Sequence, residues 1–195
     1  KNILKAVAIS NSEFCWVIGD DDMLLKNSIE EVLNLIKRQE KVDYFYINSY
    51  HFDSKLLKNY SYPINTNDLP SNLEKFSSFN SDFKTKFIEL INPEISFDFL
   101  GGLYLSVFRK NNWDKNLNKL NQKNLNNNLL FSNIDNTYPH IKIFSYAFKN
   151  SEAYFCSKAL SINLFGVREW TSLYPIVRSV RSVDALNFYY KNGLP

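Results

Sequence analysis

The sequence predicts an α/β fold built on a largely parallel sheet, and three consecutive segments predict it. Residues 14–18 form a continuous apolar run of strand length, and residues 24–39 place apolar side chains on one helical face. Residues 42–49 are rich in β-branched and aromatic side chains. The first run suits a central strand buried on both faces. Strand, helix and strand together indicate a parallel unit with a right-handed crossover.

The remaining segments of the first half are less regular. Residues 2–10 are predicted to form a short amphipathic helix, because their apolar positions recur at helical spacing. Residues 51–80 show no clear period and are predicted to be loop with one short helix near Leu73. Residues 83–91 are predicted to be helical, with Pro93 marking the end of the helix.

The second half continues the alternation of strands and helices. A strand is expected at residues 103–108 and the start of a helix at 109–113, followed by a solvated helix or loop over the Asn-rich residues 111–128. The later expectations are a helix over 141–148, short strands at 153–156 and 160–164, and one or two amphipathic helices over 170–190, interrupted near Pro175.

Length and composition limit the classes of protein to consider. A chain of 195 residues, of which 45% are hydrophobic, is long enough to bury a core as one domain. Its 23 basic and 20 acidic side chains are scattered, which gives no indication of a nucleic-acid surface. Cys15 and Cys156 lie far apart and form no CxxC pair, which argues against a disulfide framework or structural zinc and fits a reducing compartment.

The sequence also indicates a cytoplasmic location. No stretch approaches the roughly 20 uninterrupted apolar residues of a spanning helix. The first ten residues, KNILKAVAIS, have neither an initiator Met nor a cleavage site after an apolar run, so they are not expected to be a signal peptide. We interpret them as a helix entered partway through a longer protein.

Three consecutive carboxylates, Asp20, Asp21 and Asp22, follow the first predicted strand and carry the strongest chemical signal. Ligands of open α/β sheets bind at the carboxyl ends of strands. Clustered carboxylates repel one another unless a cation or hydrogen-bond donors offset the charge. Asp20 and Asp22 are spaced to share a Mg²⁺ or Mn²⁺ ion with substrate phosphates. The alternative is that the triplet caps the following helix, where acidic side chains favour the positive end of the dipole.

The segment SEFCWVIGDDDMLLKNSIEEVLNLI, residues 12–36, resembles the part of family 2 glycosyltransferases that contains their acid-x-acid metal motif. Within that family it is most similar to bacterial abequosyltransferase-like sugar transferases. Gly101-Gly102-Leu103, Phe108-Arg109 and Tyr138-Pro139-His140 follow in the order of the family, so the resemblance covers about residues 1 to 170.

The resemblance implies a GT-A-like, Rossmann-type mixed sheet flanked by helices. Members of the family usually place several nucleotide-binding strand and helix units ahead of the acidic motif. Residues 1–167 are therefore expected to be the C-terminal portion of a GT-A domain that lacks those N-terminal strands. Residues 168–195 are expected to form a C-terminal tail of amphipathic helices.

The resemblance also implies an activity. A family member transfers a sugar from a nucleotide-sugar donor to a glycan or lipid-linked acceptor, and we expect this in bacterial surface polysaccharide assembly, lipopolysaccharide or capsule. Asp20, Asp21 and Asp22 would bind the donor diphosphate, with Asp20 and Asp22 as metal ligands and Asp22 favoured for direct contact. The ion, Mn²⁺ or Mg²⁺, neutralises the charge that grows on the leaving diphosphate. The family implies inversion at the transferred carbon.

Inverting transfer requires a base for the acceptor hydroxyl. The family usually supplies a carboxylate from a Glu-Asp pair at the start of a late helix, and this sequence has no such pair. Asp135 is the nearest substitute, and His140 is a second candidate for the base or a substrate contact, or else a packing residue. Asp98 and Glu94 are alternative carboxylates on the acceptor side.

Other residues admit both a functional and a structural interpretation. Asp98 is equally consistent with a turn, and Gly101 and Gly102 with a close approach to the acceptor or a plain turn. Trp113 and Trp170 are candidates for stacking on sugar rings or for core packing.

The basic and aromatic tail, which includes Arg168, Arg178 and Arg181, suits either peripheral contact with an anionic membrane or an ordinary helix packed on a sheet. Two competing functions remain open. The first is a non-catalytic partner domain that keeps the fold and metal site. The second is metal-dependent phosphoryl transfer, for which the sequence offers no P-loop lysine.

Overall fold

The protein is a mixed α/β structure, described by a computed structural model over residues 2–129, 131–166 and 171–194. The strands are β1 (Phe14–Trp16), β2 (Asp22–Leu24), β3 (Tyr44–Asp53), β4 (Phe83–Lys86), β5 (Ser106–Arg109) and β6 (Glu152–Phe165). The α-helices are α1 (Asn2–Ile9), α2 (Ser28–Arg38), α3 (Lys110–Asp114), α4 (Gln122–Leu125), α5 (Ile134–Thr137), α6 (Pro139–Ala147) and α7 (Tyr174–Lys191). Short 3-10 helices occupy Ser54–Asn59, Thr66–Asp68, Phe87–Leu90, Leu103–Leu105, Leu117–Lys119 and Thr171–Leu173.

The strands form one mixed sheet in the order β1-β5-β3-β6-β2, with β4 paired to β6 beside β2. Among the described strands only β3 and β6 pair in parallel, and the other pairs are antiparallel. The prediction that residues 14–18 form a central strand of a largely parallel sheet is therefore wrong. β1 is a three-residue strand at the edge of the sheet, and its first and last residues, Phe14 and Trp16, are only half-buried. The continuous burial belongs to β3, where residues 44–47 are completely buried.

Strand β3 is central because helices cover both of its faces. Tyr44 and Tyr46 point into a large cluster that includes residues of α6 and α7, whereas Phe45 and Ile47 pack against α2. Side chains of a strand alternate between its two faces, and both faces of β3 pack against apolar clusters. For this reason residues 44–47 are aromatic or aliphatic, and the first polar residue of the strand is Asn48. The helix and strand predicted at 24–39 and 42–49 are confirmed in kind.

The two strands of the predicted crossover unit run in the same direction, as predicted, but they are not neighbours in the sheet. β1 and β3 run the same way, because each is antiparallel to β5, which lies between them. Helix α2 begins at Ser28 rather than near residue 24. The first residues of the predicted helix instead form β2, which pairs with residues 161–163 of β6.

Strand β6 replaces two predicted short strands with one element of 14 residues. The register with β3 shifts between Ile47 and Ser49. The buried Asn48 side chain accommodates this irregularity by donating to the carbonyls of Ser77 (2.9 Å) and Ser157 (3.2 Å) and accepting from the Ser77 amide (3.1 Å). The Asn48 side chain therefore bridges the irregular segment at residues 157–159, and the strand continues through it.

The helix predicted over residues 83–91 is wrong. Residues 83–86 form β4 and residues 87–90 a 3-10 helix. Phe83 stacks on Phe155 of β6, with ring centroids 4.9 Å apart, so pairing with a distant strand overrides the local helical spacing. The predicted helix near Leu73 is also not found, and the 3-10 helices of this region lie at 54–59 and 66–68.

The other helices agree better with the sequence. α1, α3 and α6 confirm the helices predicted at 2–10, 109–113 and 141–148. Residues 111–128 contain only short helical segments. The described part of the tail is the 3-10 helix Thr171–Leu173 followed by one α-helix. Pro175 lies in the first turn of that α-helix, where a missing amide hydrogen has no cost, and does not interrupt it.

Helix α7 packs on the same core as the sheet. Its Ala185 and Tyr189 are buried in the large cluster around Tyr44. Trp113 is also in that cluster and stacks on Phe108 at 5.1 Å, so it has a core role and does not contact a sugar. Arg168 and Trp170 lie outside the described residues. No helix in the described ranges is both long and apolar enough to cross a bilayer.

Candidate functional site

A cleft of about 1000 Å³ opens at the carboxyl ends of the parallel strands β3 and β6. The segment after β1 and the segment before β5 reach the same edge, because β1 runs with β3 and β5 runs against it. Helix α1 and the first turns of α7 close the sides. Several chain segments that are distant in sequence therefore meet where open α/β sheets bind ligands.

The acidic triplet lies on a tight turn at one wall of this cleft. The Asp22 amide donates to the Gly19 carbonyl (3.2 Å), and the Gly19 amide donates back to Asp22 Oδ2 (3.1 Å). Asp20 and Asp21 stand at the tip of the turn. A Cβ at Gly19 would lie 2.6 Å from Asp21 Oδ1 and 2.9 Å from Asp22 Oδ2, so glycine lets the carboxylates fold over the backbone.

The capping alternative for the triplet does not hold. Helix α2 begins at Ser28, its N-cap residue is Asn27, and strand β2 separates that cap from the acidic turn. The carboxylates line the cleft instead of the helix end.

Asp22 is fixed by a neighbour that sequence analysis missed. Asn163 of β6 donates from Nδ2 to Asp22 Oδ1 at 2.7 Å. Asp22, Asn163 and His51 are paired across β2, β6 and β3, so all three lie in one row and on one face of the sheet. The one available signal was the alternation of apolar and polar residues over 160–164, which places Ser161 and Asn163 on the same face of a strand.

The loop at residues 98–102 forms the facing wall and holds Asp98. Phe99 and Leu100 adopt positive φ angles of 48° and 63°, which costs free energy for residues with a Cβ. Asp98 Oδ2 accepts from the Gly102 amide, and the Gly101 amide donates to the Asp98 carbonyl at 2.9 Å. Asp98 is thus both a turn residue and a cleft residue, as are Gly101 and Gly102.

His140 lies behind this loop and does not line the cleft. It is buried, and its Nε2 lies 3.1 Å from the Gly101 carbonyl oxygen. A carbonyl only accepts, so Nε2 carries the proton. Burial lowers the pKa of His140 to about 4, against the hydrogen bond to Gly101, which favours the charged form. The imidazole is neutral near pH 7 and supports the loop.

Asp135 is also outside the cleft. It is buried, and its carboxylate accepts from the Asn121 amide (3.1 Å), Asn124 Nδ2 (3.1 Å) and Lys142 Nζ (2.8 Å). This network ties α4, α5 and α6 together. Of the carboxylates considered for the base, the structure brings Asp98 into the cleft with the acidic turn, and it does not bring Asp135 or Glu94 there.

The cleft is strongly acidic. Six carboxylates line its described part, those of Asp20, Asp21, Asp22, Asp53, Glu74 and Asp98. Lys55 and Arg178 are the basic side chains there, so the formal charge is −4. Burial, and after it the charges of Asp98 and Asp22, raises the pKa of Tyr104 well above its usual value. Tyr104 therefore lies within the field of both walls.

The described residues contain no ready-made group of three His, Cys, Asp or Glu side chains for a metal. Asp20 and Asp22 fit an ion that takes one or two carboxylates and completes its octahedron with water and ligand oxygens, as Mg²⁺ does. The chemistry of the donor set, hard oxygens on an acidic wall, suits Mg²⁺ or Mn²⁺.

A scan of the chain against protein-family models and a search of curated proteins give no match.

Proposed function

We propose that this chain is a metal-dependent glycosyltransferase domain of the GT-A type. It transfers a sugar from a nucleotide-sugar donor to a glycan or lipid-linked acceptor. The observation that supports this most strongly is the convergence of the acidic turn and Asp98 on one large cleft at the carboxyl ends of parallel strands.

The charge of the cleft supports a role for a divalent cation. A nucleoside diphosphate is a polyanion, and a wall of carboxylates repels it unless a cation lies between them. Asp22 and Asp20 hold the Mn²⁺ or Mg²⁺ ion in this proposal, and Asn163 orients Asp22. The ion, when bound, stabilises the negative charge that develops on the leaving diphosphate.

Asp98 is the base in this proposal, in place of Asp135 and His140. A base has to reach the acceptor hydroxyl within hydrogen-bond distance, and among these three side chains only Asp98 lines the cleft. Its strained loop, supported by His140, fixes the carboxylate before substrate binds. A Cβ at Gly102 would lie 2.8 Å from the Tyr104 ring, and one at Gly101 would lie 3.1 Å from the Asp98 carbonyl oxygen, so the two glycines let the loop pack closely around Asp98. Attack from the face opposite the diphosphate gives inversion.

The proposed setting is bacterial surface polysaccharide assembly at the cytoplasmic face of the membrane. Arg178 is exposed at the cleft mouth, whereas Arg181 is engaged by Asp184 and the Phe131 carbonyl. Peripheral contact of α7 with lipid headgroups therefore rests on Arg178 and its neighbours rather than on Arg181.

Calorimetric titration of nucleoside diphosphates and nucleotide-sugars, with and without Mn²⁺, tests this function. The unaltered protein is expected to bind only with Mn²⁺, Asp22→Ala to lose binding, and Asp98→Asn to keep binding but lose release of the diphosphate from the donor sugar. Glu94→Gln, four residues before Asp98 and outside the cleft, is the matched control and keeps both binding and diphosphate release. Metal-dependent binding without turnover in the unaltered protein would favour the non-catalytic partner domain.

A further inference from the structure

Four aromatic rings follow one another along the cleft wall that lies beside the acidic turn. His51 and Phe76 stack with centroids 3.6 Å apart, Phe165 meets His51 edge to face at 6.4 Å, and Phe76 meets Tyr104 at 5.2 Å. We call Phe165, His51, Phe76 and Tyr104 the aromatic wall. All four line the cleft, and the proposed transfer chemistry uses none of them.

The register of the sheet fixes the wall relative to the metal carboxylates. His51 and Asp22 both pair with Asn163, on opposite sides of β6, and Phe165 lies two residues further along the same face. Two strand spacings separate Asp22 from His51, about 10 Å between their backbones. This distance leaves room for a transferred sugar between the ion and the wall.

The wall remains accessible, although apolar rings normally become buried. The Phe165 side chain is 47% exposed, and the other three rings are partly exposed. Asp53 pairs with Phe165 across the strands, and Glu74 precedes the wall residue Phe76 by two positions. Apolar faces flanked by hydrogen-bond acceptors are the complement of a molecule that has an apolar C–H face and hydroxyl donors.

The charges near the wall decide between two kinds of ring. Asp53 and Glu74 repel the phosphates that a nucleobase would bring. Lys55 and Arg178, which also line the cleft, offset this charge only in part, whereas a neutral sugar carries no phosphate. Burial lowers the pKa of His51, so its ring adds no positive charge near neutral pH to offset the carboxylates. A neutral sugar ring therefore fits this wall better than a nucleotide.

We propose that the aromatic wall is the acceptor subsite, and that it binds a pyranose ring of a neutral glycan through its C–H face, with Asp53 and Glu74 accepting from its hydroxyls. This inference rests on the proposed glycosyltransferase function and names the class of acceptor.

Saturation-transfer NMR with neutral disaccharides in Mn²⁺-free buffer tests the subsite without requiring turnover. Phe165→Ala is expected to weaken disaccharide binding about tenfold, the loss of roughly one stacking contact, and Phe165→Tyr to retain it. The matched control is Phe79→Ala, which removes a ring that is 38% exposed and lies outside the cleft. Its disaccharide binding is expected to be unchanged.

Equal disaccharide binding in Phe165→Ala and the unaltered protein would overturn the inference, as would displacement of the disaccharide by a nucleoside monophosphate. Melting temperatures of the variants show whether any loss comes from unfolding. A wrong proposed function gives a different result. In that case the calorimetric experiment shows no metal-dependent nucleotide binding, whereas Phe165→Ala still weakens disaccharide binding.

Discussion

Replacing Lys142 is the sharpest test of the structural role that the fold gives to Asp135. The carboxylate is buried, with 2% of its side chain exposed, and Lys142 Nζ lies 2.8 Å from Oδ1. Lys142→Met removes the counter-charge and leaves the carboxylate with its donors from Asn121 and Asn124. Removing one partner of a buried ion pair costs about 3 to 5 kcal/mol, and the two remaining donors place this case near the lower value.

The expected loss is measurable by thermal and urea denaturation. For a domain of this length each kcal/mol shifts the melting temperature by about 2 to 4 °C, so Lys142→Met is expected to melt about 6 to 12 °C lower. Lys158→Met is the control, since the Lys158–Glu31 pair is exposed, with side-chain exposures of 62% and 39%. Exposed pairs contribute about 0 to 1 kcal/mol.

A double-mutant cycle identifies the cause of the loss. Asp135→Asn combined with Lys142→Met removes both charges. The double variant is therefore expected to lose less free energy of unfolding than the two single variants lose together. Equal melting temperatures for Lys142→Met and Lys158→Met would refute the reasoning. A stable Asp135→Asn variant that binds donor but has lost turnover would make Asp135 the base after all.

Three further predictions follow from particular contacts. The pKa of His140 is about 4 in the folded protein and 6.5 in the unfolded chain, so the free energy of unfolding is highest above pH 6.5 and falls by about 3 kcal/mol as the pH drops toward 4. His140→Gln is expected to remove this pH dependence, measured by urea denaturation at several pH values. Gly19→Ala pushes the carboxylates of the acidic turn apart, so Mn²⁺ affinity measured by calorimetry is expected to fall about tenfold with little change in melting temperature. Asn48→Ala orphans buried backbone groups at the β3 irregularity and is expected to cost about 3 kcal/mol in urea denaturation, and a loss below 1 kcal/mol would contradict the bridging role.

The sequence predicted the elements that local periodicity determines. Helix α2 and strand β3 follow from residues within one short window, and both are present. Strand β4 was missed because the apolar residues between Phe83 and Ile91 also fit helical spacing, and its pairing with β6 depends on Phe155, some 70 positions away. The edge position of β1 was missed for the same reason, since an apolar run does not specify its partners.

The candidate site shows the same division. The acidic turn was found from sequence because its three carboxylates are consecutive. Asn163 and His51 were not found, because only the registers of β2 and β3 with β6 place them in the same row of the sheet as Asp22. Asp135 was proposed as the base from its position in the chain, and only packing reveals that α4 and α6 enclose it.

The measurement that tests the central claim most directly is Mn²⁺-dependent binding of nucleoside diphosphates by calorimetry, in the unaltered protein and in Asp22→Ala. The account predicts binding that requires Mn²⁺ in the unaltered protein and that disappears in Asp22→Ala, while the control Glu94→Gln binds normally. Binding that needs no metal, binding that persists in Asp22→Ala, or no binding of any nucleotide with Mn²⁺ present would contradict it.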